Sequence, residues 1–97
     1  MQILIDDGMQ IHVGTGIGKY SKYLYDNLRK CSLCEQVDVS TFIPRSNSKK
    51  SARIAYIKHI NSKKYRDMSA QYDIVHFTNY LMPFMKNKRS KYAVTVH

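Results

Sequence analysis

Gln2-Ile3-Leu4-Ile5-Asp6 opens the chain with three adjoining apolar residues that run into two acids, Asp6 and Asp7. A short apolar run with β-branched members reads as a strand buried on both faces, as in a parallel sheet. Outward from it, Gly8 to Gly14 reads as loop, and Thr15 is a candidate N-cap. Ile17, Tyr20, Leu24 and Leu28 then recur at helical spacing with Tyr23 beside them, which predicts a helix from Gly16 to Cys31. Arg29 and Lys30 stand in its last turn, where cations suit the helix dipole.

Val37, Val39, Thr41, Phe42 and Ile43 predict a second strand, stopped by Pro44. Arg45 to Ser51 is polar and reads as a mobile loop. From Ala52 to Arg66 a basic amphipathic helix is expected. Ile54, Ile57 and Ile60 form its apolar stripe, Tyr56 and Tyr65 flank it, and Lys58, Lys63, Lys64 and Arg66 cover the rest. Asp73 to Phe77 is a third strand, Thr78 to Lys91 a long connection containing Pro83, and Lys91 to Val96 a fourth strand. Strands alternating with helices predict an α/β fold with an open, mostly parallel sheet of about four strands and flanking helices. Ligands of such sheets bind beyond the carboxyl ends of the strands. Asp7 to Gly18, Thr78 to Pro83 and His97 therefore converge on one crevice.

Composition bounds the function classes. The 97 residues fit one small domain, 43% are hydrophobic, and no apolar run approaches the roughly 20 residues of a membrane span. The acidic turn after Ile5 does not fit a signal peptide, and two cysteines without a secretory context point to the reducing cytoplasm. The net charge of +9 is uneven. Twelve basic residues and two acidic ones, Asp67 and Asp73, lie from Thr41 onward. Such a basic part seeks phosphate, in nucleic acid, anionic lipid or a nucleotide-linked substrate.

Gly14-Thr15-Gly16-Ile17-Gly18-Lys19 brings backbone amides to a helix start, where an anion is favoured. It fits neither the dinucleotide fingerprint nor the P-loop, because Lys19 occupies the third small position and Tyr20 replaces Ser/Thr. A flexible loop with a helix cap is the plain alternative. Cys31-Ser32-Leu33-Cys34 has C-x-x-C spacing but falls at a helix C-terminus, without further zinc ligands, so helix-end packing is the better reading. His12, His59, His76 and His97 show no metal-ligand spacing, and no metal or cofactor is expected. His76 within a strand reads as core or sheet edge. The basic helix is a solvated face by default, a membrane-surface helix as the sharper reading, and a nucleic-acid binder with stacking tyrosines as the third.

Three segments together resemble a known family. Ile3-Leu4-Ile5-Asp6 followed by Gly14-Thr15-Gly16-Ile17-Gly18-Lys19-Tyr20-Ser21 resembles the "G-x-GIGRY" start of bacterial glycosyltransferases of family four, with Lys19 in place of the frequent arginine. Asp73-Ile74-Val75-His76-Phe77-Thr78-Asn79 with Pro83 is similar to their "DIVH" strand and loop, and Tyr92 to His97 to their "VVTVHD" strand. The resemblance implies a partial Rossmann-like lobe: residues 1–97 as an incomplete N-terminal, acceptor-side lobe of a GT-B enzyme that lacks the donor-binding lobe and its E-x7-E motif.

It further implies a retaining hexosyltransferase, in polysaccharide biosynthesis, that moves a sugar from a nucleotide-sugar to a glycan or lipid-linked acceptor, with this chain inactive alone. Gly14, Thr15, Gly16 and Ile17 would contact the donor diphosphate and sugar. His97 would lie at the reacting sugar, and Thr78, Asn79 and Tyr80 would border the acceptor. Lys58, Lys63, Lys64 and Arg66 form the expected anion or membrane patch, at the inner face of a membrane, and a membrane surface is favoured over nucleic acid. The rival readings are a basic binding module and an inactive α/β domain. A cut lobe would self-associate through its uncovered sheet edge.

Overall fold

The computed structural model describes residues 1–9, 16–43, 48–78 and 81–95. The elements run β1 (Gln2–Met9), α1 (Gly16–Arg29), β2 (Gln36–Phe42), α2 (Lys49–Ile60), α3 (Lys63–Ser69), β3 (Ile74–Phe77) and β4 (Lys91–Val94). The strands form one open sheet in the order β2-β1-β3-β4, and every pairing is parallel. The fold is thus mixed α/β, with four parallel strands and three helices among the described residues, as the alternation predicted.

Side chains alternate across a strand. Leu4 and Asp6 of β1, with Val75 and Phe77 of β3, therefore face one side. They meet Ala52, Tyr56 and Ile60 of α2 and Tyr65 of α3, and this group is the buried core apart from Asp6. Phe42, Met68, Tyr72, Leu81, Met82 and Tyr92 pack around it. Ile3 and Ile5 point to the other side and are also buried, so β1 is covered on both faces as its apolar run required. Helix α1 packs against β1 and β2.

Four expectations need correction. The first strand continues past Asp6 to Met9, with a register shift between Asp6 and Gly8 in its pairing with β2. Gly8 has φ 83°, a left-handed conformation that a Cβ would disfavour. The single helix expected from Ala52 to Arg66 is two helices that break at Asn61 and Ser62. Ser62 Oγ accepts from the Tyr65 amide at 3.2 Å, so a good N-cap competes with helix continuation. Lys49 to Ser51, read as loop, is the first turn of α2, capped by Ser48 Oγ on the Ser51 amide.

The fourth correction concerns the buried face. Ile54 is 47% exposed, whereas Ala52, Tyr56 and Ile60 are within 1% of full burial. The stripe lies at i, i+4, i+8 from Ala52, because the Tyr56 hydroxyl finds a buried partner there. Tyr56 and Tyr65 are consequently core residues and not stacking platforms.

Candidate functional site

Chain order and sheet order disagree at one place. From β1 the chain crosses to β2 on one side, then returns past β1 to β3 on the other. Adjacent parallel strands with connections leaving in opposite directions open a crevice beyond their carboxyl ends. At this switch point stand Gly8 and Met9 at the end of β1, and Thr78 after β3.

Asp6 lies on β1 shortly before this end, facing α2 and α3. It is 1% exposed, and both of its oxygens are occupied. The Tyr56 hydroxyl donates to Oδ1 at 2.6 Å, the Tyr65 hydroxyl to Oδ2 at 2.6 Å, and the Gly8 amide to Oδ1 at 2.9 Å. These lengths suit charge-assisted bonds. Burial nevertheless dominates and pushes the Asp6 carboxyl up to about 6, against the pull of the two phenols and the amide. Burial and the adjoining Asp6 charge hold the Tyr65 hydroxyl far above the ordinary phenol range. With three donors on its two oxygens, Asp6 positions groups. It ties β1 to α2 and α3 and fixes the turn at Gly8. Thr78 is fully buried beside it, its amide donating to the Asp6 carbonyl at 3.1 Å and its hydroxyl at 3.4 Å. The ends of β1 and β3 are thereby locked in mutual register.

Of the residues singled out from the sequence, Gly16 and Ile17 begin α1. Thr78 sits at the β1–β3 junction with its side chain turned into the protein. Gly14, Thr15, Asn79, Tyr80 and His97 lie outside the described residues, as does His12. Lys58, Lys63 and Lys64 are exposed on α2 and α3. Arg66 is half-buried, and its guanidinium donates to the Asn61 carbonyl at 2.8 Å, so it also braces the α2–α3 turn.

His76 is half-buried on β3 with Nε2 2.6 Å from Thr95 Oγ1, and burial lowers its pKa. His59 packs between the rings of Phe42 and Tyr65, at 5.0 and 5.1 Å, and burial followed by the Lys64 charge lowers its pKa. Cys31 and Cys34 are free thiols in the turn after α1, where the Cys34 amide donates to the Cys31 carbonyl at 3.1 Å. Cys31 is exposed, which departs from simple helix-end packing. Among the described residues no group of three or more His, Cys, Asp or Glu could hold a metal ion, and no helix is long and apolar enough to cross a membrane.

The Asp6–Tyr56–Tyr65 cluster escaped the sequence reading. Its partners lie 50 and 59 residues from Asp6. The available signal was Asp6 itself: an acid in phase with Leu4 falls on the core face and requires donors there.

A second network holds the β3–β4 connection. Asn87 Nδ2 donates to Ser69 Oγ at 3.1 Å and to the Tyr92 hydroxyl at 2.9 Å, while its Oδ1 accepts from the amides of Arg89 and Ser90. Arg89 reaches the carbonyls of Ala70 and Tyr72, both at 2.8 Å, and Asp73 at 3.2 Å. The long connection is therefore pinned at its far end by side chains.

Comparison with known proteins identifies no relative: no family model, no curated protein and no solved structure matches the chain.

Proposed function

We propose that this chain forms the acceptor-side wall of a retaining glycosyltransferase, which moves a sugar from a nucleotide-sugar to a glycan or lipid-linked acceptor. The observation that carries the reading is the switch point between β1 and β3, since these strands belong to two of the three motif-bearing segments. In this reading Gly14, Thr15, Gly16 and Ile17 offer backbone amides to the donor diphosphate at the start of α1. His97 stands at the transferred sugar, and Thr78, Asn79 and Tyr80 border the acceptor. The Asp6 clamp keeps the end of β1 rigid while charge develops beyond it. A second lobe is needed to close the cleft, because preorganised groups act on a reacting sugar best in a water-poor site.

Sequencing the coding DNA beyond codon 97 tests the proposal. A continuous frame encoding a second Rossmann-like lobe with paired glutamates supports it. A stop codon with no such partner nearby counts against it. In the two-lobed enzyme, His97→Ala should lower turnover with little change in donor affinity, and unchanged turnover removes the role of His97.

A second reading has its own observation: Lys58, Lys63 and Lys64 are all exposed on consecutive helices. That basic face supports docking on an anionic membrane surface, with the chain peripheral to the bilayer.

A further inference from the structure

The β3–β4 connection carries an outward apolar tip. Leu81 and Met82 pack against the core and Pro83 is buried, but the next two residues turn away. Phe84 is 86% exposed and Met85 54%. Their backbone amides both donate to Asn61 Oδ1, at 2.6 and 2.9 Å, while Asn61 Nδ2 donates to the Ile57 carbonyl at 2.8 Å. One asparagine thus anchors the tip to the α2–α3 turn. With the Asn87 and Arg89 bonds holding the far end, the two apolar side chains project from a fixed base.

The surroundings of that base are cationic. Lys58 lies one helical turn before Asn61, and Lys63 and Lys64 follow it by two and three residues; all three are exposed. Lys86 follows Met85 directly, its ammonium 5.7 Å from the centre of the Tyr92 ring, and Lys88 is exposed beyond it. Asp67 is the one carboxylate between Thr41 and Tyr72. Asp73 is bound to Arg89.

We infer that Phe84 and Met85 insert into the headgroup layer of an anionic lipid bilayer while Lys58, Lys63, Lys64, Lys86 and Lys88 lie against its phosphates. Charge complementarity selects this occupant. An apolar pair whose anchor and flanking residues are rich in lysine is attracted to anionic lipid by charge, and is then retained by burial of the ring and thioether at the acyl boundary. The inference rests on the basic-face reading of α2 and α3 and adds to it the element that enters the bilayer.

The chain contains no tryptophan, so Phe84→Trp creates a single reporter. With vesicles of phosphatidylcholine and phosphatidylglycerol at low salt, its emission should shift to the blue and be quenched by lipids brominated near the headgroup. Vesicles of phosphatidylcholine alone should leave it unchanged. In co-sedimentation, Phe84→Ser with Met85→Ser should weaken binding of the full chain about tenfold, and Lys63→Glu with Lys64→Glu should abolish it.

Binding to anionic vesicles that is unchanged in the serine variant overturns the tip and leaves the basic-face reading standing. No binding to anionic vesicles at low salt overturns both. A blue shift that grows with protein concentration in the absence of lipid assigns the tip to a second copy of the chain and overturns the inference.

Discussion

Asp6 is the residue on which most of the chemistry of this fold converges. Its folded pKa of about 6 lies above the ordinary value of 3.8, so the folded state holds the proton more tightly than the unfolded chain. The stability that this group contributes is therefore complete below about pH 3.8 and is lost as pH rises to about 6, by roughly 3 kcal/mol in all. Urea titrations at stepped pH should show that slope in the native chain and its absence in Asp6→Asn. Tyr65→Phe should cost about 1–3 kcal/mol, because it strips a donor from a buried carboxyl. It should also move the Asp6 titration further upward, since a bond that favours the charged form is gone. Gly8→Ala should cost about 1–2 kcal/mol, measured the same way, because alanine resists the left-handed φ at that turn. The acid at position 6 was legible as part of the first strand, although that strand runs on to Met9. Its partners were not, because hydrogen bonds between residues some fifty positions apart leave no periodic trace.

At the scale of elements, the break between α2 and α3 sets the shape of the core-covering layer. Apolar spacing alone ran one helix through it, with Ile54, Ile57 and Ile60 as its stripe and Tyr56 and Tyr65 flanking that stripe. The break comes from polar chemistry, with the Ser62 hydroxyl capping α3 and Asn61 closing α2. Ser62→Ala should cost about 1 kcal/mol, which a domain of this size registers as a fall in Tm of about 4–8 °C. The same competition explains the buried stripe. Ile54, Ile57 and Ile60 suggested a purely aliphatic face, but a tyrosine buries more surface than an isoleucine where its hydroxyl is satisfied. Asp6 supplies that partner, so Tyr56 turns inward and Ile54 outward. Strand assignments transferred well from the sequence, because β-branched runs bounded by turns leave few other choices.

For the whole molecule, the alternation of strands and helices specified an open parallel sheet, and the order β2-β1-β3-β4 then placed its switch point between β1 and β3. The radius of gyration of 13.0 Å matches that of a compact chain of this length. The sheet ends on β2 and β4, and Val39 on β2 and Val94 on β4 are exposed. Edge strands of this kind template pairing with other chains. Val39→Lys should therefore reduce any concentration-dependent association of the chain seen by sedimentation velocity. Three things could be read from residue order: the fold class, the strand positions, and the charge excess from Thr41 onward. Each follows from local spacing or simple counting. The clamp on Asp6, the inward tyrosines, and the anchoring of Phe84 and Met85 on Asn61 emerged from packing alone. Each joins residues distant in the chain, and a buried polar atom takes its partner from whatever the fold brings within about 3 Å.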